Sequence, residues 1–372
     1  MRNHSHSRSR YHVPMSQISD TLDHAATIID TTLAHILEET QKYFSDIAGF
    51  PVEFLDSLYA SVNGGKRFRA LSALVGASVT VDGDFDRAIN VKHMSHLTTA
   101  LEFYQAAALI HDDVVDHSPT RRGRPSAHRL FAHAHDDEAW LGSSDTFGES
   151  GAILLGDFLL ACAEREMTYC PAKVAEHFAS MAGEVALGQY LDLRSAQQEP
   201  QGDSEALELA HTIIRLKSAR YSVAHPVSLG AQLAGAPDET VQQLLNAFEP
   251  IGIAFQLRDD HLGVFGQLGD TGKPSGGDII ERKRTALLSL TLAHAPDHVS
   301  DTIRSIYRQD TLSAGDVEAV TEFVDAYGRD PHEVLIERFY AQGISVIEKM
   351  HLPSHARKLC EEFAHLLVWR TQ

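Results

Sequence analysis

Cysteine is scarce in this chain: three occur among 372 residues, at Cys162, Cys170 and Cys360, and no CxxC pair is present. An odd count without that spacing excludes a disulfide framework, offers no zinc pattern and fits a reducing compartment, so a cytoplasmic location is expected. Long hydrophobic runs are missing too. No apolar stretch approaches the roughly 20 residues that cross a bilayer, so no membrane span is expected. The N-terminus lacks the apolar segment of a secretory signal. Strand-type alternation is nearly absent, and its best instance, Ser78–Val81, is too short to build a sheet. No motif recurs at the spacing of a solenoid. Basic charge falls short of acidic charge, with 32 Lys and Arg against 51 Asp and Glu and a net charge of −19. Such a surface repels nucleic acid and anionic lipid, which excludes a polyanion partner unless metal ions or a local basic cluster hold it.

What is present is helical periodicity. From Ser16 to Tyr43, Ile18, Leu22, Ala25, Ile28, Ile29, Leu33, Ile36 and Leu37 recur at helical spacing, with Ser19 and Asp20 as candidate caps. The stretches 66–81, 95–116, 152–170, 173–194, 205–233 and 239–264 read the same way. Residues 1–15, rich in His, Arg and Ser, read as a disordered lead. Residues 133–150 are polar and contain glycine, and read as a surface insertion or lid. Residues 266–277 read as a glycine-rich loop. The expected fold is all-α, one bundle of many helices over residues 16–372.

Two acidic clusters carry the chemistry. LEFYQAAALIHDDVVD at 101–116 is an apolar helix that ends in carboxylates. Asp112 and Asp116 stack on one face with Asp113 beside them. Like charges at that spacing destabilise a helix unless a cation sits between them. Hard oxygen donors suit Mg²⁺, which bridges carboxylates to phosphate. A solvated acidic helix end is the alternative, although an Ala- and Leu-rich helix would stay buried up to its cap. FQLRDDHLGVF at 255–265 repeats the pair as Asp259 and Asp260, but the fourth position beyond Asp259 is Gly263, so this cluster offers fewer ligands.

Basic residues accompany them. SVNGGKRFRA at 61–70 joins two glycines to Lys66, Arg67 and Arg69, a plausible grip on diphosphate. PTRRGRPSAHR at 119–129 places four arginines just past the first aspartates. Lys217-Ser218 lies in a helical stretch, and Lys273 and Lys283 flank the second loop. Together these residues outline one anion pocket held through metals and one held by cations alone.

In this combination the sequence resembles the trans-prenyl diphosphate synthases. GGKRFR at 64–69, HDDVVD at 111–116, RRG at 121–123, KSA at 217–219, FQLRDD at 255–260 and GK at 272–273 stand in that family's order. The insertion at 133–150 and the wording of FQLRDDHLGVFG are similar to actinobacterial geranylgeranyl diphosphate synthases. The resemblance implies an isoprenoid-synthase fold around a deep central cavity, a homodimer, and three Mg²⁺ ions per site, two on Asp112 and Asp116 and one on Asp259. It implies that Arg121, Lys217, Lys273 and Lys283 hold an allylic diphosphate. Lys66, Arg69, Gln105, Arg122 and the backbone of Gly65 would hold isopentenyl diphosphate, and Ser218 and Gln256 would line the region of developing positive charge. Ala70 and Gly263 depart from the family pattern, and Gly263 leaves open a non-catalytic subunit of a heteromeric synthase. A class I terpene cyclase is a further rival, but it would not need the grip at 64–69.

Product length should follow from the helix that leads to Asp112, since three residues rise about 4.5 Å, close to one isoprene unit. Small Ala107 and Ala108 let the chain pass, and Tyr104 should stop it. That favours a C20 product, geranylgeranyl diphosphate, with C15 or C25 as alternatives, and Tyr104→Ala should lengthen it.

Overall fold

Apolar residues at every third and fourth position wind most of this chain into helices. A computed structural model describes residues 16–47, 49–266 and 276–369. The proposed lead at 1–15 lies outside the described residues. The helices are α1 Ser16–Ser45, α2 Val52–Val62, α3 Phe68–Ser78, α4 Phe85–Ile89, α5 Met94–Val115, α6 Ala127–Asp137, α7 Ser144–Met167, α8 Ala172–Ala196 and α9 Ser204–Ile213. A π-wound segment, Ile214–Ala224, joins α9 to α10 at His225–Leu233. Then follow α11 Asp238–Phe265, α12 Gly277–Ile280, α13 Ala286–His294, α14 Asp297–Tyr307, α15 Ala314–Tyr327, α16 Arg329–Lys349 and α17 Ser354–Val368. The fold is all-α, as expected.

The helix α5 is central. Leu97, Ala100, Leu101, Phe103 and Ala107 are fully buried, and α7 packs along it. The α11 helix packs against α16 and the π segment, and α3 packs against α10. A smaller apolar cluster of Leu287, Ile303, Val320 and Val324 holds α13 to α15 together.

Several local expectations change. Ser19 and Asp20 lie inside α1, which is already helical at Ser16, so they are not its caps. Residues 133–150 are not an irregular lid. They are the end of α6, a connection at 138–143 and the start of α7, whose first turn is capped by Ser143 and tied to α6 by Arg129–Asp145 at 2.7 Å. Their polarity marks a solvent-facing helix pair rather than missing structure. The α7 helix is also long and apolar enough, by length and composition, to cross a bilayer, against the sequence expectation. Here it packs on α5 and α6 and buries Leu155 and Leu159. The arginine-rich stretch forms a small hairpin in which Thr120 pairs with Pro125 and Arg121 with Arg124. Its two-residue turn has positive φ at Arg122 (+54°) and Gly123 (+72°), the signature of a type I′ turn.

The π segment is held by charge and by close backbone approach. Arg220 donates to Glu184 of α8 through Nε at 2.7 Å and to Glu249 of α11 through Nη1 at 2.6 Å. Glycines let both helices close on it: a Cβ on Gly188 would lie 2.5 Å from the Lys217 nitrogen, and one on Gly252 would lie 2.4 Å from the Ala219 oxygen. Long π windings are rare and concentrate at functional sites. This one carries Lys217 and Ser218.

Candidate active site

A cavity of about 1510 Å³ runs between α5, α7, α8, the π segment and α11. Its acidic end lies where α5 finishes. Asp112 lines the wall. Its Oδ1 accepts from Gln189 Nε2 at 3.0 Å and faces Lys217 Nζ at 3.1 Å, while Arg121 Nη2 stands 3.5 Å from Oδ2. Burial alone would raise its pKa, but Lys217, Arg121 and Lys283 outweigh burial and hold the carboxyl below its ordinary value. Asp116, one turn on, caps the helix. Burial and the adjacent Asp112 charge push its pKa up to about 6.

Asp113 is placed differently from the sequence expectation of three ligand carboxylates. It is buried off the cavity wall and accepts from Arg121 through Nε at 2.9 Å and again through Nη2. One residue turns a helix by about 100°, which takes Asp113 off the face of Asp112 and Asp116. There it orients Arg121.

The opposite wall comes from α11. Gln256 and Asp259 line it, and Gln256 Nε2 donates to Asp260 Oδ1 at 2.9 Å. Burial, then the nearby Asp278 charge, raise the Asp260 pKa well above the usual carboxylate range. Gly263 does not leave this cluster a carboxylate short. A Cβ at Gly263 would lie 2.2 Å from Asp278 Oδ2, so the carboxylate from the start of α12 fills the space of the absent side chain. Lys217 Nζ bonds Asp192 Oδ2 at 2.6 Å as well as facing Asp112; burial opposes its charge, and the two carboxylates outweigh burial and raise its pKa. Lys283 is fixed the same way, 2.7 Å from Glu281 and 3.5 Å from Asp278. Ser218 is on the wall, and Lys273 lies outside the described residues.

Asp112, Asp116, Asp260 and Asp278 thus gather around Lys217 and Lys283 with only hard oxygen donors, and two of these acids are pushed up by crowding and burial. A dication would relieve that crowding. Among the described residues no three His, Cys, Asp or Glu side chains converge tightly enough to enclose a metal by themselves. An incomplete oxygen set suits Mg²⁺, which keeps waters and takes its remaining ligands from substrate phosphate.

A second, cationic group faces the same cavity. Gly65 has φ +101°, a conformation that favours glycine, and the Arg122 guanidinium sits close over it, 2.9 Å from where a Cβ would be. Lys66 and Arg69 line the wall beside Arg122. Burial and the neighbouring charges of Arg67, Arg121 and Arg69 lower the Arg122 pKa, the mark of crowded cations facing an anion site. Arg67 is spent on structure: it bonds Asp30 of α1 at 2.7 Å and Glu102 of α5 at 2.9 Å. Arg69 Nη2 donates to Ser222 Oγ at 2.6 Å and lies 4.2 Å over the Tyr221 ring, whose hydroxyl donates to Gln105 Oε1.

Away from both charged groups the wall is apolar. Tyr104, Ala108 and Leu109 line it from α5, with Ala175, Phe178, Ala179 and Ala182 from α8. Ala107 is fully buried and off the wall, which corrects its expected place beside the growing chain. Ala108 and Tyr104 lie four and eight residues before Asp112, close to its face, whereas Ala107 is rotated away.

Sequence reasoning passed over Gln189, Asp192, Asp278, Ser222 and Tyr221. The first two had a signal: GQYLDL at 188–193 puts two polar residues three apart on a helix rich in small residues.

The sequence model of the polyprenyl synthetase family matches residues 53–324. The chain belongs to this family. It is therefore a prenyl diphosphate synthase and a transferase of prenyl groups. It is 29% identical to a geranylgeranyl diphosphate synthase of Mycobacterium tuberculosis over 85% of this chain and 84% of that protein. It is 26% identical to a (2E,6E)-farnesyl diphosphate synthase of Mycobacterium bovis over 93% and 91% of the two chains. Among solved structures, a Corynebacterium glutamicum geranylgeranyl pyrophosphate synthase, complexed with isoprenyl diphosphate and magnesium, aligns with a TM-score of 0.83. That alignment has 34% identity and covers 92% of this chain and 98% of the other. Relatives of similar likeness thus carry names for two product lengths.

Proposed function

We propose that this synthase is magnesium-dependent and joins isopentenyl diphosphate to an allylic diphosphate, with the C20 geranylgeranyl diphosphate as its main product. The observation that carries this reading is one cavity with two charged groups and an apolar channel. Carboxylates with lysines stand on one side, a cluster of cations in which Glu102 is tied to Arg67 stands on another, and alanine and aromatic side chains lead away between α5 and α8.

Asp112, Asp116 and Asp259 would hold Mg²⁺, three ions per site, with Asp260 and Asp278 beside them. Bound there, Mg²⁺ would offset the charge on the allylic diphosphate and make it a better leaving group. Arg121, Lys217 and Lys283 would bind the same diphosphate, and their paired carboxylates would keep them charged and aimed. Gly65, Lys66, Arg69 and Arg122 would hold the second diphosphate, with Gln105 orienting Tyr221 against Arg69. The allylic C–O bond breaks, and the electron pair leaves with diphosphate. The double bond of isopentenyl diphosphate then forms the new C–C bond, and a proton passes to the released diphosphate. Ser218 and Gln256 offer oxygen dipoles along that path, and the apolar channel keeps water from quenching the cation.

Tyr104 crosses this channel eight residues before Asp112, which favours C20. The carboxylate of Asp278 beside Gly263 keeps three acids in the second cluster, which favours an active enzyme over a non-catalytic subunit. A grip for a second diphosphate favours chain extension over terpene cyclisation. A cytoplasmic homodimer fits the three buried free thiols and the exposed apolar residues Ile153 and Leu154 of α7 with Leu187 and Tyr190 of α8. The test is incubation of the purified chain with labelled isopentenyl diphosphate and C5, C10 or C15 allylic diphosphates, with and without Mg²⁺. Turnover that needs Mg²⁺ and ends at C20 is expected. Release of a hydrocarbon, or no turnover with any primer, would overturn the reading.

A further inference from the structure

Beside the acidic end of the cavity is a carboxylate that neither acidic cluster accounts for. Lys283 lines the cavity, yet its ammonium already has an anion: Nζ lies 2.7 Å from Glu281 Oε2, against 3.5 Å from Asp278 Oδ1. Glu281 itself is not among the residues that line the cavity, so it holds the lysine from the side. Burial opposes the charge on Lys283, and Asp278 and Glu281 prevail and raise its pKa. The Glu281 charge also reaches Asp116 and Arg121. A fixed negative charge here repels an incoming diphosphate, and like charges brought together cost affinity. Its presence therefore calls for a role in turnover.

The backbone that carries this pair is pinned. The Arg282 N–H donates to the Ile279 carbonyl and the Lys283 N–H to the Asp278 carbonyl, both at 3.0 Å, the two bonds of a Schellman turn that closes α12. Its left-handed position is Arg282, at φ +55°, where glycine is the usual residue. The Arg282 side chain donates to the Gln309 carbonyl beyond α14, and Arg284 Nη1 donates to the Arg282 carbonyl at 2.8 Å. Arg284 Nη2 is tied in turn to the Gln198 carbonyl at 2.9 Å. Two arginines thus hold the turn in its strained form. The part that can move is the long side chain of Lys283, between Glu281 and the cavity.

We propose that Glu281 is an internal stand-in for the diphosphate: it holds the Lys283 ammonium in the empty site, yields it to the allylic diphosphate, and takes it back once the diphosphate has parted from carbon, so that the anion can leave. The pairing then does more than aim Lys283, because it competes with substrate for it. Glu281 is a positioning residue that acts through Lys283 and trades affinity for release. An ammonium engaged by Glu281 about nine-tenths of the time weakens apparent anion binding about tenfold, since only the remaining fraction is competent. This inference rests on the diphosphate-binding reading of Lys283 above.

The test measures binding of inorganic diphosphate at saturating Mg²⁺ by calorimetry, and KM and kcat for farnesyl diphosphate, in wild type, Glu281→Gln, Lys283→Gln and the double variant. Glu281→Gln should bind inorganic diphosphate about tenfold more tightly, with a lower KM and, as release slows, a lower kcat. The double variant should bind it no more tightly than Lys283→Gln alone, because the competition needs the lysine. Glu281→Ser provides a second removal of the carboxylate with the same expected shift, should the first variant fold poorly. A carboxylate that only aims the lysine gives the opposite sign, so weaker binding and a higher KM in Glu281→Gln would overturn the stand-in, as would unchanged binding. Equal tightening in the Lys283→Gln background would also overturn it, since the effect would then belong to the general field of the carboxylate. A wild type that binds no diphosphate in the presence of Mg²⁺ would instead strike the functional reading itself, so the two failures are separable.

Discussion

The carboxylate of Asp278 stands where a side chain on Gly263 would have to go, with its Oδ2 only 2.2 Å from the position of a Cβ there. The two residues are 15 positions apart and belong to different helices. The glycine and the aspartate are a matched pair, and each is uninformative without the other. Gly263→Asp should therefore not improve the second acidic cluster, because it forces Asp278 out. It should lower kcat/KM by about 10- to 100-fold, the usual range for disturbing groups that support a metal. Gly263→Asp combined with Asp278→Gly should recover most of that loss. Steady-state kinetics of the three variants decide it, and a fully active Gly263→Asp would contradict the pairing.

Asp112 and Asp113 are neighbours with different tasks. Asp112→Asn should lower kcat by about 10²- to 10³-fold, as expected when a group that holds transition-state charge in place is lost. Asp113→Asn should act through Arg121, with a loss of about tenfold at most, expressed mainly as a higher KM for the allylic diphosphate. Equal losses in kcat for both variants would show that Asp113 contributes directly.

Asp116 should couple metal uptake to protons. Its pKa of about 6 in the metal-free protein means that it is largely protonated below that pH, and a carboxyl must be ionised to hold Mg²⁺. The Mg²⁺ concentration for half-maximal binding of a diphosphate analogue should rise as pH falls through 6, with proton release on binding near pH 6 that fades as pH rises above about 7. Calorimetry in buffers of different ionisation enthalpy reads both. Asp116→Asn should remove the proton release.

Glu184 links stability to pH with the opposite sign. Burial opposes its charge, but His225 and Arg220 prevail and hold its pKa at about 2. A depressed carboxyl stabilises the fold fully above its unfolded pKa near 4.5 and loses that contribution as pH falls toward 2. Glu184→Gln should lower Tm at pH 7 and lower it by clearly less at pH 3. An equal drop in Tm at both pH values would assign the effect to packing instead of charge.

Much of this molecule is legible in its residue order because helical angle follows from spacing. The apolar repeats located α1, α5, α8 and α11 to within a few residues. The turn of the helix put Asp112 and Asp116 on one face, and GGKR followed by the paired arginines pointed to anion binding. Misplacements came where neighbours decide. Ala107 and Asp113 lie one or two positions from wall residues, but a helix has one cavity face and they are turned away from it. Arg67 and Arg69 look alike in the sequence. Both line the cavity, but only Asp30 and Glu102, reaching in from α1 and α5, make the first a buried brace.

The sequence by itself determined the all-α class, the face carrying the first acidic cluster and the chemistry of the ligand, because these depend on local periodicity and residue type. Tertiary structure alone decided that Asp278 stands beside Gly263 at the second acidic cluster, and that Gln189 and Asp192 meet Asp112 and Lys217. Each of these is a distance between atoms on separate helices. Spacing along one chain segment carries no information about which distant carboxylate, carbonyl or void the fold brings to it.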